Sequence, residues 1–212
     1  MQKIKMILCA SLLILSIAGI ADALPVTSLH FESEPGDWVG QGKTWHYDEP
    51  EIISVSVNLF DYTDDGLVDY LSFVIDVEED SSWGWTWWSL TVGTDELSEN
   101  IEPGYYDDAQ RAPFADPGHP GLSFSGDGRG HNRLTGSFTI LDAVFDYSGD
   151  SPELVSFAAD FEQYGLNWDE STDPGLTGTF YYNYNPTPEP ATLVLFGSGL
   201  IGLAVIRRKF RK

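Results

Sequence analysis

The sequence predicts an all-β protein with a single antiparallel domain of the β-sandwich or jelly-roll type. Apolar and polar residues alternate over several short segments, and clusters of turn-forming residues separate these segments. The chain between residues 24 and 185 shows no amphipathic helix of useful length. About eight to ten strands with frequent turns favour a sandwich or jelly roll, and a closed barrel is the main alternative.

The clearest strands are predicted over residues 52–60 and 70–77, which alternate well and are rich in β-branched and aromatic residues. Weaker candidates cover residues 29–31, 44–47, 83–92, 134–147, 154–161 and 178–184. Turn sequences such as Asp64-Asp65-Gly66 and Asp173-Pro174-Gly175 separate them. The glycine-rich segment 120–133 lacks the Gly-Lys-Ser/Thr ending of a phosphate-binding loop. It is therefore interpreted as a tight loop without a phosphate-binding role.

The charge of the middle segment excludes one large class of function. Residues 24–186 hold 31 acidic and 4 basic residues, a net charge of −27. A field of that sign repels phosphate backbones, so we expect no nucleic-acid partner. Disorder is not expected, since 14% of the residues are aromatic and 42% are hydrophobic.

The N-terminal residues 1–23 have the pattern of a secretory signal peptide. Lys3 and Lys5 precede an apolar stretch, which ends at the small-residue cleavage pattern Ala21-Asp22-Ala23. The single cysteine, Cys9, lies in this segment, so the mature protein is expected to have no disulfide. We therefore expect export through the inner membrane.

The C-terminal residues 186–212 have the pattern of a membrane stop-transfer tail. Pro188-Glu189-Pro190 precedes sixteen apolar residues, 191–206, and a basic cluster follows them. Sixteen residues approach the length of the bilayer core when they are helical. The terminal cations are expected to stay on the cytoplasmic side.

This tail resembles the PEP-CTERM sorting signal of exported bacterial proteins. The resemblance consists of the Pro188-Glu189-Pro190 motif, the glycine-containing apolar helix and the arginine-rich end, in that order. It implies an exosortase as the processing partner, a transient membrane anchor through residues 191–206, and release to the cell surface or extracellular matrix. It further implies an association with exopolysaccharide and biofilm. The segments 33–38, 124–130 and 157–163 together resemble an uncharacterised domain of exported bacterial proteins. That resemblance would cover most of residues 28–183, and it implies fold and location only.

A calcium site is predicted in the turn after residues 52–60. Asp61, Thr63, Asp65 and Asp69 occupy positions 1, 3, 5 and 9 of a calcium-loop spacing, and Gly66 occupies position 6. Ser72 stands where the bidentate glutamate should be, and the flanking segments look like strands. The alternative is a β-hairpin whose tip uses Asp-Asp-Gly for a tight turn.

The tryptophan-rich segment 83–88 is a candidate sugar-binding platform. In a strand, Trp83, Trp85 and Trp87 point to one face and Trp88 points to the other. A row of exposed rings would stack on the apolar faces of sugars. The alternative is a core strand.

Two of the four bases, Arg129 and Arg133, lie within the glycine-rich segment 120–133. We expect them to pair with carboxylates of the same domain, with Asp160 and Glu162 as candidate partners.

No catalytic constellation is recognised in the sequence. There is no nucleophile elbow, no zinc-type histidine spacing and no cysteine in the mature chain. We therefore predict a non-catalytic exported module associated with exopolysaccharide. The alternatives are a secreted hydrolase that uses an Asp/Glu pair, and a purely structural matrix protein.

Overall fold

The computed structural model describes residues 24–78 and 85–186, with Trp85 described by its backbone alone. These residues form ten β-strands and one short 3₁₀ turn, Asp95–Leu97. The strands are β1 (Val26–Ser33), β2 (Thr44–Tyr47), β3 (Ile52–Phe60), β4 (Tyr70–Glu78), β5 (Trp85–Gly93), β6 (Gly104–Arg111), β7 (Gly121–Gly126), β8 (Leu134–Asp146), β9 (Glu153–Leu166) and β10 (Thr172–Tyr184). The predicted all-β class is confirmed, and the strands belong to one compact unit, Pro25–Tyr184.

The ten strands form one sheet in the order β2-β1-β10-β9-β8-β6-β7-β5-β4-β3. All neighbouring pairs are antiparallel except β6 and β7, which run parallel and pair at only two positions of each strand. This short parallel junction divides the sheet into two halves. We call β2, β1, β10, β9, β8 and β6 the groove half, and β3, β4, β5 and β7 the serine half.

The sheet curves back on itself, because rings from strands far apart in the order pack together. Phe31 of β1 meets Trp88 of β5 with ring centroids 4.6 Å apart. Phe73 of β4 meets Phe180 of β10 at 4.9 Å. Along β4, the residues at alternate positions are fully buried, as a sheet with one inner face requires. The core therefore lies between the two halves.

One buried side chain ties the two halves together across the weak junction. Gln163 of β9 accepts a hydrogen bond from the backbone N–H of Phe124 at 2.7 Å. It also donates to the backbone carbonyl of Phe124 at 2.9 Å. Its primary amide thus supplies the donor and acceptor that a neighbouring strand would otherwise provide to β7.

Two strands were not predicted from the sequence. Strand β6 contains a bulge between Tyr106 and Ala109, and Asp108 there has a positive φ of 55°. Strand β7 lies within the glycine-rich segment that was interpreted as a loop. Its Gly126 is required by packing, since a Cβ at this position would collide with the Trp88 ring. Glycine here indicates close approach of a neighbour within a strand, not a turn.

Candidate functional site

A groove of about 640 Å³ crosses the outer surface of the groove half. Two rows of residues, aligned from strand to strand by the hydrogen-bond register, supply most of its lining. The first row consists of His46, His30, Thr179, Asp160 and Thr139. The second row consists of Thr44, Glu32, Thr177, Glu162 and Ser137. We call this surface the acidic groove; with strands about 4.8 Å apart, each row extends for roughly 20 Å.

The alternation of the strands explains why the lining is polar. A third row lies between the two, and its side chains point inward. It consists of Phe31, Gly178, Phe161 and Phe138, and its three phenyl rings are buried. A Cβ on Gly178 would collide with the ring of Phe161, so only glycine leaves room for this packing. The same strands that build the core therefore expose carboxylates and hydroxyls on their other side.

Two carboxylates of β9 are oriented by neighbouring hydroxyls. Thr179 donates to Asp160 Oδ1 at 2.8 Å, and Ser137 donates to Glu162 Oε1 at 3.1 Å. A carboxylate has about four acceptor positions, so each one retains capacity for further donors. Fixed acceptors of this kind suit ligands that present several hydroxyl groups.

The rim of the groove combines imidazole and aromatic groups. His30 Nε2 lies 2.8 Å from Asp48 Oδ1, and its ring contacts the His46 ring edge-on at 4.8 Å between centroids. Tyr105 lies opposite Thr139 in the register and is 64% exposed. An exposed phenol ring beside hydrogen-bonding groups offers a stacking surface for an amphipathic ligand.

The electrostatics of this face follow from its carboxylates. Tyr164, next to the second row on β9, has its pKa raised by burial and further by Glu162 and Glu34. A negative potential disfavours the phenolate in this way. The same potential would attract cations and hydroxyl donors and repel polyanions.

The tryptophan platform is described in part. Trp88 is fully buried in the core, whereas Trp87 lies on the outer face of β5 and is 38% exposed. Trp83 and the side chain of Trp85 lie outside the described residues. The described rings therefore alternate between the two faces, and sugar stacking on Trp87 stays a prediction.

The predicted calcium residues form a hairpin turn with internal hydrogen bonds. The carboxylate of Asp69 is buried and accepts from the backbone N–H groups of Tyr62 and Thr63. Asp61 accepts from the N–H groups of Asp65 and Gly66. Within residues 24–78 and 85–186, no three His, Cys, Asp or Glu side chains are grouped as metal ligands. The hydrogen bonds of Asp61 and Asp69 fit the hairpin alternative, and the calcium site stays a prediction.

The predicted carboxylate partners of the two arginines are wrong. Arg129 pairs with Asp127 at 2.7 Å and donates from Nε to the carbonyl of Val39 at 3.1 Å. Arg133 pairs with Glu170 at 3.1 Å. Asp160 and Glu162 instead line the acidic groove, because their positions on β9 alternate with the buried Phe161.

The sequence reasoning did not identify the groove as a site. Glu32, His30 and His46 were not singled out, although Asp160 and Glu162 already showed the two-residue spacing of one strand face. That spacing was the available signal. It shows a shared face but not which other strands lie beside it.

The comparisons with known proteins identify the C-terminal segment. Residues 186–209 match the family model described as the PEP-CTERM protein-sorting motif. Neither the curated proteins nor the solved structures contain a match to the chain. The motif marks this chain as an exported protein, made as a membrane-anchored precursor, that an exosortase processes.

Pro188, Glu189 and Pro190, the predicted signal peptide 1–23 and the predicted membrane helix 191–206 lie outside the described residues. Among the residues that the structure describes, no helix is long and apolar enough to span a membrane.

Proposed function

We propose that the exported domain is a non-catalytic, β-sandwich module that binds extracellular polysaccharide along the acidic groove. The observation that carries this proposal is the pair of register-aligned rows of carboxylates, hydroxyls and imidazoles across five strands. A sugar polymer presents hydroxyl groups at regular intervals, and a long open groove accommodates a chain better than a small molecule.

The chemistry of the groove favours neutral sugar units. Sugar hydroxyls donate to Asp160, Glu162 and Glu32, and they accept hydrogen bonds from threonine and serine hydroxyls. Tyr105 at the rim would stack against the apolar face of one unit. Several charge-assisted hydrogen bonds of this kind together give useful affinity without a deep pocket.

The sorting motif supports an extracellular setting for this module. We propose that the signal peptide 1–23 directs export, that residues 191–206 hold the precursor in the inner membrane, and that exosortase cleavage near Pro188 releases it. The mature protein would then reside at the cell surface or in a matrix rich in exopolysaccharide.

The test is retention of the exported, processed protein on insoluble polysaccharides, with and without calcium. We expect the double variant Asp160→Asn/Glu162→Gln to bind about tenfold more weakly, as expected for loss of charge-assisted hydrogen bonds. The matched control is Ser89→Ala/Ser125→Ala on the outer face of the serine half, which should bind like the wild type.

Three results would reject the proposal. Equal retention of both double variants would show that the groove is not the binding surface. Release of reducing ends by the purified protein would show a hydrolase instead of a binding module. Self-assembly in calcium without retention on any polymer would favour the purely structural role.

A further inference from the structure

A second pocket, of about 650 Å³, lies at one end of the groove half. Three loops contribute to it: 112–120 and 127–133, which connect the two halves, and 167–171, which connects β9 to β10. Its lining includes Asp108, Arg111, Phe114, Asp116, Arg133 and Glu170. We call it the arginine–aromatic pocket, after Arg111, Phe114, Arg133 and the neighbouring Trp168.

The pocket brings together two of the few basic residues of a strongly acidic protein, beside three carboxylates. Residues 24–186 contain only four basic residues against 31 acidic ones, and two of the four line this pocket. Arg133 is paired with Glu170, at 3.1 Å. Arg111 is not: in the described part of the chain, no carboxylate lies within ion-pair distance of its guanidinium.

The contacts of Arg111 leave part of its guanidinium unused. Its Nη1 donates to the backbone carbonyl of Asn132 at 3.2 Å and lies 3.4 Å from the side-chain oxygen of that residue. Its Nε and Nη2 have no partner among the described residues. Two adjacent N–H groups on one edge of a guanidinium match the two oxygens of a carboxylate.

Each arginine lies against an exposed aromatic ring. The guanidinium carbon of Arg111 is 5.0 Å from the centroid of Phe114, and that of Arg133 is 4.8 Å from the centroid of Trp168. Phe114 is 68% exposed and Trp168 is 89% exposed. Rings that protrude beside charged groups offer stacking area for a ligand with one apolar face.

We propose that this pocket binds a carboxylate-bearing sugar unit, a uronic acid residue within a polysaccharide. The carboxylate pairs with the open edge of Arg111, and the sugar ring stacks on Trp168 or Phe114. Asp116 and Glu170 accept hydrogen bonds from the sugar hydroxyls. Three carboxylates also line the pocket, so a singly charged group fits better than a phosphate or a nucleic acid backbone.

This inference rests on the proposed polysaccharide function and specifies its ligand. Thr135 lines the pocket and Ser137 lines the acidic groove, and both lie on the same face of β8. Two residues along a strand span about 7 Å, so one polymer chain extends from the groove into the pocket. A polymer that combines neutral and uronic acid units would satisfy both surfaces.

The test compares a hexamer of neutral sugars that carries one galacturonic acid unit with its carboxyl-reduced, fully neutral counterpart, by titration of the exported, processed protein. We expect the uronate hexamer to bind at least tenfold more tightly and to lose affinity as salt rises. Arg111→Gln should weaken its binding about tenfold. Arg111→Lys should lose nearly as much, because an ammonium lacks the planar fork.

The matched control is Lys43→Gln, which removes the same charge outside the pocket and should leave uronate affinity unchanged. Circular dichroism and thermal unfolding establish that each variant is folded, and Trp168→Ala tests the stacking contact without changing charge. Equal binding of the two hexamers, or an unchanged affinity of Arg111→Gln, would overturn the inference.

Retention of the wild-type protein on neutral polymers separates this inference from the proposed function. Retention on neutral polymers without any preference for uronate means that the pocket inference alone is wrong. If the wild type is retained on no polymer, the polysaccharide function itself is wrong.

Discussion

The outer faces of the two halves are built by the same alternation but present different chemistry. The acidic groove carries long carboxylate and imidazole side chains in two rows. The corresponding face of the serine half carries mostly short uncharged side chains in register: Ser56, Asn58, Ser72, Ser89, Thr91, Ser123 and Ser125. We call it the serine face.

The two faces also differ in how their hydrogen-bonding groups are paired. On the serine face, Ser72 and Thr91 lie 3.2 Å apart, and Ser54 donates to Asp76 at 2.7 Å. Ser72 and Thr91 thus bond to each other, whereas Asp76 accepts from Ser54 as Asp160 accepts from Thr179 in the groove. In the groove, acceptors outnumber the hydroxyls that contact them, so ligand hydroxyls can still be bound. The comparison teaches that two polar faces built by the same alternation can differ in how many acceptor positions stay unused.

Beside the β6–β7 junction, Gln163 of the groove half bonds to Phe124 of the serine half. Gln163→Ala should lower the free energy of unfolding by about 3 kcal/mol, because it leaves the N–H and carbonyl of Phe124 buried without partners. Urea unfolding measures this. Asn58→Ala, on the serine face, is the control and should change stability by less than about 0.5 kcal/mol. A small effect of Gln163→Ala would mean that the junction holds without it.

The serine half has its own anchor in Asp69. Asp69→Ala should cost about 2–3 kcal/mol, since the buried carboxylate satisfies the N–H groups of Tyr62 and Thr63. Asp61→Ala, in the exposed part of the same turn, should cost less than about 1 kcal/mol. Thermal unfolding with and without calcium distinguishes the two interpretations of this turn. A calcium-dependent rise in Tm that both variants abolish would favour the calcium loop.

The groove half should be the acid-sensitive half. Burial lowers the pKa of His131 below its usual 6.5, and the nearby Asp37 and Asp173 only oppose this. Gln163 Nε2 lies 3.2 Å from His131 Nδ1, so the amide N–H favours an unprotonated nitrogen there. The unfolded chain therefore binds the proton at a higher pH than the folded chain does.

The neutral form of His131 contributes to the stability of the folded protein. That contribution is complete above about pH 6.5 and is lost as the pH falls toward the lowered pKa of His131. We expect the Tm of the wild type to decrease over this range, and that of His131→Gln to change less. Unfolding scans between pH 7.5 and 5 measure the difference. Parallel curves for the two proteins would assign the acid sensitivity to other groups.

The smallest expected effect has the opposite sign and lies next to the serine half. Burial raises the pKa of Asp95, and Asp69 and Glu96 add to the effect while backbone N–H groups oppose it. The charged form is therefore slightly unfavourable in the folded protein at neutral pH. Asp95→Asn should stabilise by less than about 0.5 kcal/mol at pH 7, since the group is partly exposed to solvent. The gain should vanish below the unfolded-state pKa of about 3.8, which chemical unfolding at pH 3 and pH 7 would reveal.

Much of the local structure could be read from the sequence. The predicted strands at residues 44–47 and 52–60 match β2 and β3, because alternation and β-branched residues act within a few positions. The tail motif was also readable, since a processing enzyme recognises a contiguous segment. Strands β6 and β7 were missed because a bulge and packing glycines conceal their alternation.

The sequence by itself determined the all-β class, the acidic charge and the sorting motif. Only the tertiary structure decided which strands lie side by side, and thereby which residues share a surface. Glu32 and Glu162 belong to one row because β1, β10 and β9 pair in a particular register. A change of one residue in that register would turn the same side chains to the opposite face. Register is a long-range property, set by how the whole core packs, so no local pattern could have specified the groove.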